Sequence, residues 1–160
     1  EAFPDIKVIF TRGNADAEGG AVNQVLEKYV SRNDNDHILV DSLGFERFFS
    51  ALRYVDGVIG NSSSSIIEVP SFGIGTLNIG SRQQGRVKAK SVIDCDANKV
   101  SIARGIKRLF SPNFKLMCKD VQNPYEQLGS RAKILSVIRD IDLENIILKP
   151  FHDNATLGLM

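Results

Sequence analysis

The run Val58-Ile59-Gly60-Asn61-Ser62-Ser63-Ser64-Ser65 decides how this chain is read. Its apolar half completes a strand that begins at Val55, and its serines open a helix expected over residues 64–71. Pro70 is expected near the end of that helix, because proline breaks a helical interior. Four serines at a helix start offer hydroxyls together with N–H groups that lack intrahelical partners. The helix dipole favours negative charge at the same place. Capping by Ser62 or Ser63 would explain one serine. Four in a row, after a buried strand and a glycine, read as an anion site more than a cap. It is not a Walker loop, because no GKS or GKT follows.

Working outward, the β-branched Ile6-Lys7-Val8-Ile9-Phe10 reads as a first strand ending at Thr11-Arg12-Gly13-Asn14. Ala21, Val22, Val25, Leu26, Tyr29 and Val30 recur at helical spacing. His37-Ile38-Leu39-Val40 is a second strand, and residues 43–54 carry a short helix rich in phenylalanine. Thr76-Leu77-Asn78-Ile79 and Ser91-Val92-Ile93 follow as strands, with the last helices over 98–110 and 128–141. Strands alternating with helices predict an α/β fold, a Rossmann-like doubly wound parallel sheet with helices on both faces. Residues 1–150 are expected to form the domain and 151–160 a loosely packed tail.

The bulk properties exclude several classes. Twenty basic residues against nineteen acidic ones leave a net charge of +1, which gives no basic excess for nucleic acid or a membrane surface. Cys95 and Cys118 have no partner spacing, so neither zinc nor a disulfide framework is indicated, and two reduced thiols fit a cytoplasmic protein. No signal peptide and no apolar run of membrane-spanning length is present. His37 and His152 stand alone, without metal-ligand spacing, and His37 at the head of a strand reads as structural. Neither a metal nor a cofactor is indicated. A start at Glu1, almost directly before a strand, reads as one domain of a longer protein.

In an open parallel sheet, ligands bind outside the carboxyl ends of the strands. The loops there are 11–20, 42–48, 60–65 and 80–86. Glu68, just over a turn past Ser64, is suited to accept paired hydroxyls, as in ribose recognition; a solvated or ion-paired surface glutamate fits as well. Gly80-Ser81-Arg82-Gln83-Gln84-Gly85-Arg86 joins forked guanidinium donors to glycines that let backbone approach a ligand. An exposed basic turn is the plainer account of it. No catalytic triad and no pair of acid–base carboxylates can be placed, so the chain reads as half of an active site.

The stretches 58–73 and 77–86 together resemble the UDP-N-acetylglucosamine 2-epimerase family, most closely its hydrolysing branch, which serves sialic and legionaminic acid synthesis. Ile67 stands where the non-hydrolysing branch carries a second acidic residue. The similarity extends from about residue 3 to residue 151. It implies the second of two Rossmann-like domains of a GT-B-type enzyme that is a homo-oligomer at full length, with a UDP-sugar bound between the domains. It further implies that Ser62 and Ser63 hold the diphosphate and Glu68 the ribose. Arg82 would lie near the UDP or sugar and Arg86 beside it. Phe48 would pack on uracil, although a core role is the ordinary fate of such an aromatic. Asn14 and Asp16 match a polar loop at the cleft. The acid–base residues are expected mostly on the first domain. Two other readings share these features: the donor-binding domain of a GT-B glycosyltransferase, and a non-catalytic nucleotide-sugar-binding fragment.

Overall fold

The computed structural model describes residues 3–13, 19–33, 36–144 and 146–147. The chain divides into two compact units, Glu1–Glu126 and Gln127–Met160. In the first, β1 (Val8–Thr11), α1 (Gly19–Val30), β2 (His37–Val40), α2 (Gly44–Ala51) and β3 (Gly57–Gly60) follow one another. Next come the single turn α3 (Ser64–Ile67), a 3-10 turn (Val69–Phe72), β4 (Gly75–Ile79), β5 (Val92–Cys95), α4 (Lys99–Leu109) and α5 (Pro112–Lys119). All strand pairs are parallel, in two ladders: β1 with β2, and β3-β4-β5. The α/β class with parallel strands is as expected, while the hydrogen-bonded strands fall into two groups.

β4 is the central strand of its ladder, and its first four residues are buried. Period-two alternation divides its side chains between the faces. Leu77 joins Ile93, Leu109, Phe114 and Cys118 in the core beneath α4 and α5. Thr76 points the other way and reaches Ser65 of α3, where Ile66, like Val69 of the 3-10 turn, is completely buried. Helices therefore cover both faces of β4, as a buried parallel strand requires.

The helix expected over 64–71 is instead one α-turn followed by a 3-10 turn. Pro70 is the cause: it has no N–H to give to Ile66, and its ring crowds the carbonyl one turn back. The backbone tightens to three-residue bonds, Ser71 N–H to Glu68 O and Gly73 N–H to Pro70 O, both 3.1 Å. Gly73, at φ 66°, then turns the chain into β4.

Other elements match expectation within a few residues. Asn98 caps α4 by accepting the Ser101 N–H at 2.9 Å. The helix α5 was passed over in the sequence, although Ser111-Pro112 is a helix opening and Phe114, Met117 and Cys118 have helical spacing. In the second unit, the described residues hold α6 (Ser130–Asp140), entered through Gly129 at φ 79°. Residues 151–160, expected to form a tail, lie outside the described residues. No described helix is long and apolar enough to cross a membrane.

Candidate functional site

The carboxyl ends of β3 and β4 bring two loops together. The first leaves β3 at Gly60 and carries the serines. Ser62 is exposed, Ser63 and Ser64 are half-buried, and Ser65 is only 1% exposed. The Ser65 hydroxyl donates to Ser62 O at 2.5 Å, and its carbonyl accepts from Thr76 Oγ1 at 2.7 Å. Ser65 is thus committed to the interior, and the expectation of four available serines is corrected to three. No serine side chain caps α3. Among the described residues, neither the N–H nor the hydroxyl of Ser62 or Ser63 has a partner. A single α-turn also adds up only a few peptide dipoles. What the loop offers is local N–H and hydroxyl donors more than a helix axis.

Glu68 stands at the junction of α3 and the 3-10 turn, half-buried. Its Oε2 is sealed from solvent and has no hydrogen-bond partner, and among the described residues no cation pairs with it. Of the two accounts open in the sequence, a surface ion pair is therefore not observed. A buried carboxylate oxygen without a donor is costly.

The second loop leaves β4 through Gly80 at φ 77° and turns again at Gly85, φ 79°. These positive φ values call for glycine. Arg82 and Arg86 are exposed, and neither has an acidic partner among the described residues. Gln83, between them in the loop, is 3% exposed and donates from Nε2 to Asn61 O at 2.8 Å. That bond, invisible in the sequence, joins the two loops. Further along, Lys88 Nζ reaches both oxygens of Asp94 at 2.8 and 2.9 Å, and Tyr125 donates to Val87 O at 2.9 Å.

Phe48 is half-buried on α2, its ring 5.8 Å from Phe49. Phe49 is the aromatic that stacks on Phe72, at 5.5 Å and 14°, and so links α2 to the turn behind the serine loop. Asn14 and Asp16 lie outside the described residues. Next to them, Arg12 was passed over in the sequence: its guanidinium donates to Glu27 and, at 2.7 Å, to Asp41. Those hydrogen bonds, Glu27's first, raise its pKa further.

A cavity of about 680 Å³ lies elsewhere, along β5 and α4. Ser81, Gln84, Lys88, Asp94, Arg104 and Arg108 are among its lining residues, and none of the six candidates among the described residues is. His37 is structural in its contacts: it stacks on Tyr29 at 5.2 Å and its Nε2 lies 3.2 Å from the Tyr29 hydroxyl. Among the described residues, no three of His, Cys, Asp and Glu are grouped as a metal site would need. Cys95 and Cys118 are free, and burial raises both thiol pKa values, Cys95's further through Asp96 and Asp94.

A parallel α/β domain with a serine loop and an arginine loop at the ends of adjacent strands is of the open-sheet class, in which the carboxyl edge of the sheet is the usual ligand side. Comparison with known proteins gives the family. The UDP-N-acetylglucosamine 2-epimerase family model matches residues 1–139, and the chain belongs to that family. It is 34% identical over 154 residues to a Campylobacter jejuni GDP/UDP-N,N'-diacetylbacillosamine 2-epimerase (hydrolyzing), covering 96% of this chain and 40% of that protein. It is 37% identical over 146 residues to the Escherichia coli polysialic acid biosynthesis protein P7, covering 91% of this chain and 37% of that one. A Legionella pneumophila UDP-N,N'-diacetylbacillosamine 2-epimerase (hydrolyzing) is 29% identical over 145 residues, covering 90% of this chain and 37% of its own length. The chain thus spans about two fifths of the length of these relatives.

Proposed function

We propose that this chain is the UDP-binding part of a hydrolysing UDP-sugar 2-epimerase. One observation carries the reading. Within seven residues, and among the described residues, Ser62 and Ser63 hold N–H and hydroxyl donors without partners, and Glu68 holds a buried carboxylate oxygen without one. Donors suit a diphosphate and the acceptor suits ribose hydroxyls, so the short segment has the polarity of a nucleoside diphosphate. Exposed Arg82 supplies charge to the phosphates, with Arg86 beside it, and Phe48 offers a ring to the base. Asn14 and Asp16 are assigned to the sugar side of the cleft.

In this reading a base removes the C2 proton of the sugar while the bond from C1 to the UDP oxygen breaks. The products are a glycal and UDP. Water then adds across the double bond, its hydroxyl to C1 and a proton to the opposite face of C2, which inverts that centre. The serine loop and Arg82 would stabilise charge developing on the departing diphosphate. Proton transfer is assigned to the portion of the longer relatives that this chain does not match. The released sugar is an N-acetylmannosamine-type hexosamine or its 4-amino-4,6-dideoxy counterpart. A cytoplasmic, homo-oligomeric full-length enzyme accompanies the proposal.

Titration calorimetry with UDP and GDP tests it. The expected result is weak, saturable binding of UDP and weaker binding of GDP. Binding is lost in Ser62→Ala/Ser63→Ala and in Glu68→Ala, both folded by circular dichroism. UDP affinity unchanged in both variants would refute the site. The chain by itself is expected to release no UDP from UDP-N-acetylglucosamine.

A further inference from the structure

We infer that Gln83 is a positioning residue that holds the serine loop and the arginine loop in register for the diphosphate; the inference rests on the UDP reading above. Gln83 is buried in a loop whose other polar members, Ser81, Arg82, Gln84 and Arg86, are all exposed. Turning a glutamine inward sacrifices side-chain freedom and hydration. It is offset here by one hydrogen bond, to Asn61 O at 2.8 Å, across 22 residues of sequence. The other amide atom, Oε1, is buried without a partner, so the interior does not otherwise reward the residue.

The positions of the two partners give the bond its consequence. Asn61 immediately precedes Ser62, and Gln83 immediately follows Arg82. One side-chain amide therefore fixes the residues adjoining the two groups that would meet the phosphates. The far end of the arginine loop is held separately, by Lys88 on Asp94 and by Tyr125 on the Val87 carbonyl. Among the described residues between the left-handed turns at Gly80 and Gly85, Gln83 alone bonds to the serine loop. A ligand that bridges both loops gains affinity when their spacing is set in advance.

The test uses this chain with Gln83→Met, which keeps length and volume but removes the amide. A Phe114→Leu control loosens the core on the other face of β4. Hydrogen exchange followed by mass spectrometry reads the loops, and calorimetry reads UDP. For Gln83→Met we expect faster exchange over residues 61–65 and at least tenfold weaker UDP binding. Phe114→Leu should lower the melting temperature with little change in UDP affinity. Unchanged exchange or unchanged affinity in Gln83→Met overturns the inference, and so does an equal loss in the control. Should Gln83→Met fail to fold, Gln83→Glu decides. A carboxylate cannot donate to Asn61 O, whereas a protonated carboxyl can, and burial raises its pKa. Its deficit in UDP affinity relative to wild type should therefore shrink as pH falls towards 5; a constant deficit overturns the inference. No UDP binding by the wild-type chain removes the UDP reading itself. Binding retained by both wild type and Gln83→Met removes only the role of Gln83.

Discussion

The Thr76 hydroxyl donates to the carbonyl of Ser65 at 2.7 Å, with both residues 1% exposed. The central strand of the ladder thereby holds the one-turn helix that follows the serine loop. A buried hydrogen bond thus ties the segment after the serine loop to the core. Thr76→Val preserves shape and removes the donor, leaving the Ser65 carbonyl without that partner. The expected cost is about 1–3 kcal/mol, measured by urea unfolding, accompanied by weaker UDP binding. A neutral result would show that another donor replaces Thr76.

Gly75 opens β4 where a Cβ would meet Leu109 Cδ1 at 2.6 Å and Phe114 Cε1 at 2.7 Å. Both are core side chains with little room to retreat. Gly75→Ala is expected to destabilise the chain by about 1–3 kcal/mol through overpacking. Thermal unfolding checks this, and Gly75→Ala combined with Leu109→Ala should recover part of the overpacking penalty.

Asp94 couples the arginine loop to β5. Partial burial pushes its pKa up, but hydrogen bonds from Lys88 and then Asn78, with the charge of Lys88, outweigh that and hold it below the usual carboxylate value. A lowered folded pKa contributes stability above the unfolded value, near 4, and that contribution is lost as pH falls through the folded pKa. Its side chain is 56% exposed, so screening keeps the contribution under about 1 kcal/mol. Asp94→Asn should be less stable than wild type at neutral pH, with the gap closing in acid and narrowing in 1 M salt, where the Debye length is about 3 Å against about 10 Å at 0.1 M. An equal gap at neutral and acid pH would contradict this assignment.

Glu68 is predicted to read the ribose. Glu68→Ala should weaken UDP binding about tenfold or more, in keeping with a hydrogen bond to a charged group, which takes an already weak interaction below calorimetric detection. With a UDP analogue lacking both ribose hydroxyls, wild type and variant should bind alike. A variant that loses equal affinity for both ligands would place Glu68 in loop structure instead.

Much of the fold was legible because its signals are local. Alternating apolar strands and periodic helices survive in a single sequence, and the Gly60-to-Ser65 passage marks the turn between them. The family resemblance drew on the same stretch together with residues 77–86. The length of α3 is not legible from Pro70, which does not simply end an α-helix but converts its second turn to 3-10 geometry. The helix α5 had its own cues, Ser111-Pro112 and the apolar spacing after them, which were not weighed. Arg12 could not be singled out, because its partners Glu27 and Asp41 lie 15 and 29 residues away.

The serine loop shows where the division falls. By itself the sequence determined that a strand runs into four serines at a carboxyl edge, since chain order and residue chemistry suffice for that. It determined Glu68 one turn on and the arginines beyond the next strand for the same reason. Only the tertiary structure decided that Ser65 turns inward while Ser62 and Ser63 keep their donors open. It alone decided that Gln83, among four polar neighbours, is the one that is buried. Those outcomes depend on Thr76 and Asn61, partners brought near by the packing of β3 against β4. Burial and hydrogen-bond satisfaction belong to pairs of residues, and the folded chain is what makes the pairs.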